Sequence, residues 1–453
     1  MFAAAVRDFP ASMPRGAEQP SSNAVPGPDA VGRVLLLYSG GLDTSVMLRW
    51  IQEQYEAEIV ALTVNLGQPG EDFEVVEGKA RQLGAVDAIL VDAREEFAGE
   101  YVLPAIKANA IYGNAYPLFT ALGRPLIAKL AVEHARRTGC DTVAHGCTGK
   151  GNDQVRIEAT VAALDPDLKV IAPVRQWSMS RDEEIAYARE HGIPVKGGTE
   201  TPPYSIDDNL WGRSSEGSEI EDLTEPPRDA VFQLVTRPEE APDEPELVRV
   251  EFERGCPVAL DGERLELVKL LERAAQLGRR HGVGIVDHIE DRIVGLKIRD
   301  VYEVPAAAIT LTAHRDLEAL VSTIHQNNFK RTLEDKWAYL CYAGLWHDPL
   351  RSDLDAYMES ANEVVTGEVT LKLYKGSVTP VARRSRYALY DRSLASFGES
   401  GAQFSQDSSP GFIELFTLQT RMARRVRHQQ RHQPVSGPEG PSPKTLENEG
   451  EER

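Results

Sequence analysis

Between residues 33 and 173, five short apolar runs alternate with longer stretches whose apolar residues recur three and four apart. The runs are 33–38, 59–65, 88–91, 142–145 and 170–173. Being apolar on both faces, they predict strands that are covered on each side. The stretches 44–55, 73–83, 93–110, 118–138, 153–164 and 181–191 carry helical spacing. Strands separated by helices assemble as a parallel sheet, so the first part of the chain is expected to be an α/β domain. Ligands of such sheets bind beyond the carboxyl ends of the strands, which directs attention to Ser39 and Gly146.

After residue 197 the alternation stops. Residues 201–246 are dense in Pro, Asp and Glu and read as a long, partly irregular connection. From 247 the order is α+β. VRVEFERGCPVALDGE predicts a hairpin, 265–281 an amphipathic helix, 284–302 extended chain, and 317–327 and 332–345 helices. A second hairpin pairs 367–375 with 378–385 around Lys375-Gly376. FIELFTLQTRMARRVR near the end has an apolar face and a basic end, suited to its own domain or to a partner subunit. The expected organisation is a disordered leader 1–30, a nucleotide-binding domain 31–197, an α+β domain 198–410, a C-terminal helix 411–430 and a disordered tail 431–453. The leader lacks the apolar core of a secretory signal, and the tail has too little apolar surface to offset the entropy of ordering.

At 453 residues two domains are expected. The formal net charge of -20 argues against non-specific attraction to nucleic acid or anionic lipid. No apolar run approaches the ~20 residues of a membrane span. Four cysteines, none in a CxxC pair, read as reduced thiols of a cytoplasmic protein.

The first predicted strand runs into VLLLYSGGLDTS. Glycines at 40 and 41 permit close approach of backbone to a ligand. A helix starting near Asp43 offers unpaired N–H groups and its positive end to a phosphate, and Ser39, Thr44 and Ser45 add hydroxyl donors. A plain strand–turn–helix joint with a capping serine would carry similar letters. The lysine of the loop that transfers a γ-phosphate is missing. A loop of hydroxyls and N–H groups suits the pyrophosphate that departs from an attacked α-phosphate, and Asp43 beside it calls for magnesium. A second string, HGCTGKGNDQVR, follows the fourth predicted strand. Thr148, Asn152, Asp153 and Arg156 there offer donors, an acceptor and a cation, a mixture suited to a zwitterionic amino acid. Asn152-Asp153 serves equally as a helix cap. Cys147 beside it reads as a small buried thiol.

SGGLDTS after an apolar strand resembles the signature of the ATP pyrophosphatase (PP-loop) enzymes. Taken in order with NLGQ (65–68), YPLFTALGRP (116–125), HGCTGKGNDQVR, IAPVRQW (171–177), GIPV (192–195), DDNLWGRSSE (207–216) and GVGIVDHIEDRIVGLKIRDVYEVPAA (282–307), the chain resembles the argininosuccinate synthase family over 34–416. The resemblance implies a nucleotide-binding PP-loop domain of adenine nucleotide alpha hydrolase type, then a synthetase and multimerisation domain. It implies a ligase that joins L-citrulline to L-aspartate through a citrullyl-adenylate, consuming ATP and releasing AMP and pyrophosphate in arginine biosynthesis. ATP would lie on Leu37, Tyr38, Ser39, Gly40, Gly41, Leu42, Asp43, Thr44 and Ser45, with Val64 near the adenine and Gly146 on the second loop. Ser39, Asp43, Thr44 and Ser45 would act on the leaving group, with Asp43 toward magnesium. Aspartate would lie on Thr148, Asn152 and Asp153. Citrulline would lie on Tyr116, Asn152, Arg156, Ser205, Ser214, Glu290 and Tyr302. Leu37 and Val64 stand where alanine is frequent, and Ala121 replaces a serine, with Thr120 adjacent. The family implies a homotetramer with no nucleic-acid or membrane partner. The rival readings are another PP-loop ligase and a nucleotide-binding protein without chemistry.

Overall fold

The computed structural model describes residues 31–177, 179, 181–194, 204–395 and 405–431. The leader 1–30, residues 432–453 of the tail and Val195 of GIPV lie outside the described residues. The chain forms one compact unit up to Leu389 and a second from Tyr390.

The first unit begins with the five expected strands: β1 (Arg33–Leu37), β2 (Glu58–Asn65), β3 (Asp87–Asp92), β4 (Thr142–Ala144) and β5 (Lys169–Ile171). They form a parallel sheet in the order β3-β2-β1-β4-β5. Leu37 registers with Leu62 on one side of β1, and Leu36 with Ala144 on the other. Connections therefore run outward in both directions from β1, and a crevice opens beyond the ends of β1 and β4. Helices α1 (Leu42–Tyr55) and α2 (Phe73–Gln82) follow β1 and β2, and α3 (Phe119–Thr138) and α4 (Asp153–Leu164) flank β4. Both faces of β1 are core. Val34 and Leu36 pack with Val46 and Ile51 of α1, and Leu35 with Leu122 and Leu126 of α3. Each such side chain contributes about 1.5–3 kcal/mol by leaving water.

Two expectations in this half are corrected. Residues 93–110 form a short helix Arg94–Glu96, a π-helical stretch Phe97–Val102 and a turn Leu103–Lys107. Pro104 supplies no N–H to a continuous four-apart ladder. The run 170–173 ends as a strand at Ile171, because Pro173 opens a one-turn helix Pro173–Gln176.

Residues 204–246 are more ordered than their composition suggests. They hold the hairpin β6 (Ser205–Asn209) and β7 (Gly212–Glu216). Then come β8 (Glu246–Glu253), β9 (Cys256–Leu260), β10 (Glu263–Arg264) and helix α5 (Leu267–Arg280). The 284–302 stretch is a second hairpin, β11 (Ile285–Asp291) and β12 (Lys297–Glu303). Helix α6 (Pro305–Val321) stops at Ser322, and Thr323 caps α7 (Ile324–Tyr342) reciprocally with Gln326, so the expected helix 317–327 straddles a break. Helix α8 (Pro349–Asn362), not foreseen, starts on Asp348. The last pair, β13 (Gly367–Tyr374) and β14 (Ser377–Arg384), turns on Lys375 and Gly376, both at positive φ. Two antiparallel sheets result, β11-β12-β7-β6 and β10-β9-β8-β13-β14. In the second unit the expected single helix is two, α9 (Ser408–Phe416) and α10 (Leu418–Arg431), parted at Thr417.

Candidate active site

The joint from β1 to α1 is built to leave donors open. Gly40 takes φ +76, where L side chains are strained, and Gly41 begins α1 with no side-chain cap. The uncapped first turn keeps N–H groups for a ligand. Ser39 Oγ and Thr44 Oγ1 lie 3.2 Å apart at the surface of the joint. Ser45 turns inward: its hydroxyl donates to the Gly41 carbonyl at 2.6 Å and meets the Tyr38 hydroxyl at 3.0 Å. Ser45 thus shapes the loop, while Ser39 and Thr44 face outward. Asp43 is exposed in the first turn of α1. Lys79 of α2 donates to the Gly40 carbonyl at 2.8 Å, placing an ammonium at a loop whose own letters lack one. Leu37 is half-buried and Val64 buried at the ends of β1 and β2. A Cβ at Gly146, after β4, would meet Met47 Cε at 3.2 Å and Thr44 Cγ2 at 4.0 Å. The two glycine loops therefore touch.

Beyond Gly146 the second loop leads into α4. The Asn152 and Asp153 side chains do not cap that helix. Asn152 Nδ2 donates to the Tyr342 hydroxyl at 2.7 Å, and its Oδ1 accepts from Ile293 N at 3.1 Å. Asp153 sits between Arg156 at 2.8 Å and Arg124 at 2.7 Å. Burial alone would raise the Asp153 carboxyl, but these two guanidinium groups hold it below the usual carboxylate range. Arg124 also pairs with Asp207 of β6 at 2.6 Å. Arg292 donates to the Lys150 carbonyl at 3.2 Å and pairs with Glu216 of β7, tying the second loop to the four-stranded sheet. Thr148 lies in the same loop, its carbonyl accepting from Gly151 N at 3.4 Å.

A hydrogen-bonded chain runs inward from there. The Tyr342 hydroxyl donates to Glu290 at 2.6 Å, and Tyr302 donates to the other oxygen of Glu290. Tyr302 also contacts Asp300 Oδ2 at 3.1 Å. A phenol has one hydrogen, so the second contact needs a protonated Asp300 as donor. Burial, then the charges of Glu216 and Glu290, push the Asp300 carboxyl up to about 8, which keeps that proton in place. Tyr116 packs its ring 4.9 Å from that of Tyr302. The Tyr116 hydroxyl accepts the backbone N–H groups of Thr120 at 3.0 Å and Ala121 at 3.2 Å, capping α3. Its own hydrogen is left to donate. Ser214 registers with Tyr302 across β7 and β12, while Ser205 stands at the far end of β6 opposite Glu216. Two polar atoms here are buried without a partner, Arg156 Nη2 and Asp300 Oδ1.

Arg124, Asp207, Glu216, Arg292, Asp300, Tyr342 and Lys79 were not singled out from the sequence. Arg124, Asp207, Glu216, Arg292 and Asp300 lie inside the quoted strings 116–125, 207–216 and 282–307. Lys79 and Tyr342 sit in ordinary helices, and only tertiary packing brings them in. Cys147 is half-buried, and burial pushes its thiol up, as suits an inert group. Among the described residues no group of three His, Cys, Asp or Glu is arranged to hold a metal ion.

Residues 33–194 match the family described as Arginosuccinate synthase N-terminal HUP domain, and residues 204–423 match Arginosuccinate synthase C-terminal domain. Among curated relatives, the argininosuccinate synthase of Rubrobacter xylanophilus is 54% identical over 86% of this chain and 94% of its own length. That of Symbiobacterium thermophilum is 51% identical over 86% and 97%. That of Pyrococcus furiosus is 48% identical over 87% and 95%.

Proposed function

This chain belongs to the argininosuccinate synthase family, and from that premise we propose how its loops divide the ligation of citrulline to aspartate. The enzyme is a ligase that forms a C–N bond and uses ATP. The uncapped start of α1, with Ser39 and Thr44 facing outward, holds the β- and γ-phosphates. Gly146, against Thr44, brings the second loop over the same phosphates. The adenine lies near Leu37 and Val64. Magnesium arrives on the nucleotide: Asp43 alone suits a cation already held by phosphates, and not an all-protein site. The ion would neutralise phosphate charge.

The observation that carries the reading is the buried, unpartnered Nη2 of Arg156 beside a donor-only Tyr116. Both ask for an acceptor, and citrulline offers a carboxylate and a ureido oxygen. Glu290, Tyr302, Ser214 and Ser205 complete the citrulline set, Tyr342 orienting Glu290 and Asn152 together. Thr148, Asn152 and Asp153 receive aspartate, whose ammonium faces the Asp153 carboxylate. A ureido oxygen is a weak nucleophile, so rate comes from holding it in line with the α-phosphate and from steadying the departing pyrophosphate. The adenylated ureido carbon is then attacked by the aspartate amine, and AMP leaves.

The working division is a nucleotide-binding domain 31–197 and a synthetase domain 198–410. We further propose a cytoplasmic homotetramer. Four free thiols support the compartment. No helix among the described residues is long and apolar enough to cross a membrane. Phe412, Leu415 and Phe416 are 63%, 75% and 75% exposed in the second unit, which supports packing against another subunit. The test is pyrophosphate release by the purified chain with ATP, omitting citrulline or aspartate in turn. Release that requires citrulline, with argininosuccinate appearing only when aspartate is added, is expected. Release indifferent to citrulline would overturn the assignment.

A further inference from the structure

A cavity of about 330 Å³ lies beyond the ends of β2 and β3, under α5. It is bordered by the 65–68 stretch, which none of the three substrate sets uses. Its lining is largely polar, with Asn65, Gln68, Gln276, Arg94, Arg279 and the exposed carboxylate Glu272, beside the apolar Phe73 and Leu210. A volume of this kind falls in the range that holds small ligands.

Arg279 is the unusual member. Its Nε is buried with no hydrogen-bond partner, and among the described residues no carboxylate pairs with the guanidinium. The two carboxylates whose charge it feels each bond other groups, although Asp208 Oδ1 is buried without a partner. Glu303 accepts from the backbone N–H groups of Gln233, Leu234 and Val235 at 3.2, 2.7 and 2.7 Å. Asp208 pairs with Arg213. Arg213 is itself a cation acting on Arg279, and together with burial it makes the charged guanidinium less favourable there. The other arginine of the cavity, Arg94, is already paired with Asp92 at 2.7 Å. Arg279 as a whole is only partly buried, but its buried Nε is a donor with no acceptor, and folded chains seldom leave such a group unsatisfied unless something binds.

We propose that this cavity is a second ligand site, taking a small organic anion whose carboxylate or phosphate group pairs with Arg279 while its body rests on Phe73 and Leu210. The planar guanidinium suits bidentate capture of either group. Gln276 lines the same space from the preceding turn of α5, on the same helical face as Arg279. The proposal does not depend on the ligase reading, since no residue assigned to ATP, citrulline or aspartate lines the cavity.

The test titrates the full-length chain with inorganic phosphate and, separately, with succinate, following the melting midpoint and the binding isotherm. Wild type, Arg279→Gln and Arg279→Lys are compared. Weaker sites elsewhere are common to all three, so the difference isolates Arg279. Binding of at least one anion is expected to weaken about tenfold or more in Arg279→Gln and less in Arg279→Lys. A response to phosphate alone assigns a phosphorylated ligand, and one to succinate alone a carboxylate. Without added anion, Arg279→Gln should melt no lower than wild type, because it removes a guanidinium whose buried Nε has no partner. Identical responses of wild type and Arg279→Gln to both anions would overturn the site. So would a variant that melts several degrees lower unliganded, which would mean the guanidinium has a structural partner.

Discussion

Gly40 holds φ +76, and a Cβ there would lie 2.8 Å from Val76 Cγ2, whereas Gly41 is extended and a Cβ would meet nothing nearer than Ser39 Oγ at 3.4 Å. The chain's own packing thus demands glycine at 40 but not at 41. Gly40→Ala is expected to lose about 1–3 kcal/mol of stability through backbone strain and the Val76 clash. Gly41→Ala should melt like wild type and lose ATP-dependent turnover, because only a ligand at the open turn of α1 would meet the added methyl. Melting curves beside steady-state kinetics separate the two, and a wild-type kcat/KM for ATP in Gly41→Ala would sink the phosphate reading. This elbow was legible because its letters are local and each has a local consequence. Lys79 was not, because a lysine in α2 carries no mark saying that its ammonium will rest on the Gly40 carbonyl.

Helix α3 shows how an element can be aimed by one buried tyrosine. Leu118, fully buried, takes φ +67 just before the helix, and Tyr116 then reaches over to cap it. A bulky residue in this region is strained, and surrounding packing holds it there. Tyr116→Phe should therefore lose both a donor to citrulline and a helix cap, the latter about 1 kcal/mol. Tyr342→Phe is a cleaner test, since α7 keeps its packing. It removes the hydroxyl that joins Asn152 to Glu290, and the KM for citrulline should rise about tenfold while that for ATP holds. Equal rises for both substrates would count against the orienting role. Strands β1 to β5 were readable because they are apolar on both faces. The hairpin β6–β7 was not: SIDDN and GRSSE carry polar side chains, Asp207 pairing with Arg124 and Glu216 with Arg292. Polar side chains held in ion pairs there replaced the alternation that normally announces a strand.

Across the whole molecule, the acidic cluster behind Tyr302 links stability to pH. The ordinary aspartate value is about 4, and the folded chain holds the Asp300 proton to about 8. Between these values the folded state binds more protons than the unfolded one, so this contribution is full at the acid end and fades as pH rises through 8. Asp300→Asn should flatten that decline. Melting midpoints from about pH 5 to about pH 9 should bring the variant progressively above wild type, and parallel curves would refute the assignment. Such a cluster was not readable from composition, because Glu216 and Asp300 lie on strands far apart in the chain and share a site only through the β7–β12 pairing.

That same long reach has a consequence for how the chain comes off the ribosome. Strand β8 pairs with β13, Phe252 opposite Gly367 and Leu373 opposite Glu246, so its partner is made over a hundred residues later. At ordinary elongation rates the free edge of β8 waits on the order of ten seconds for it. Until then the nascent chain presents a strand with one edge paired to β9 and the other bare, the arrangement most open to a neighbouring copy on the same message. A chain stopped short of Gly367 keeps that edge bare for as long as it exists.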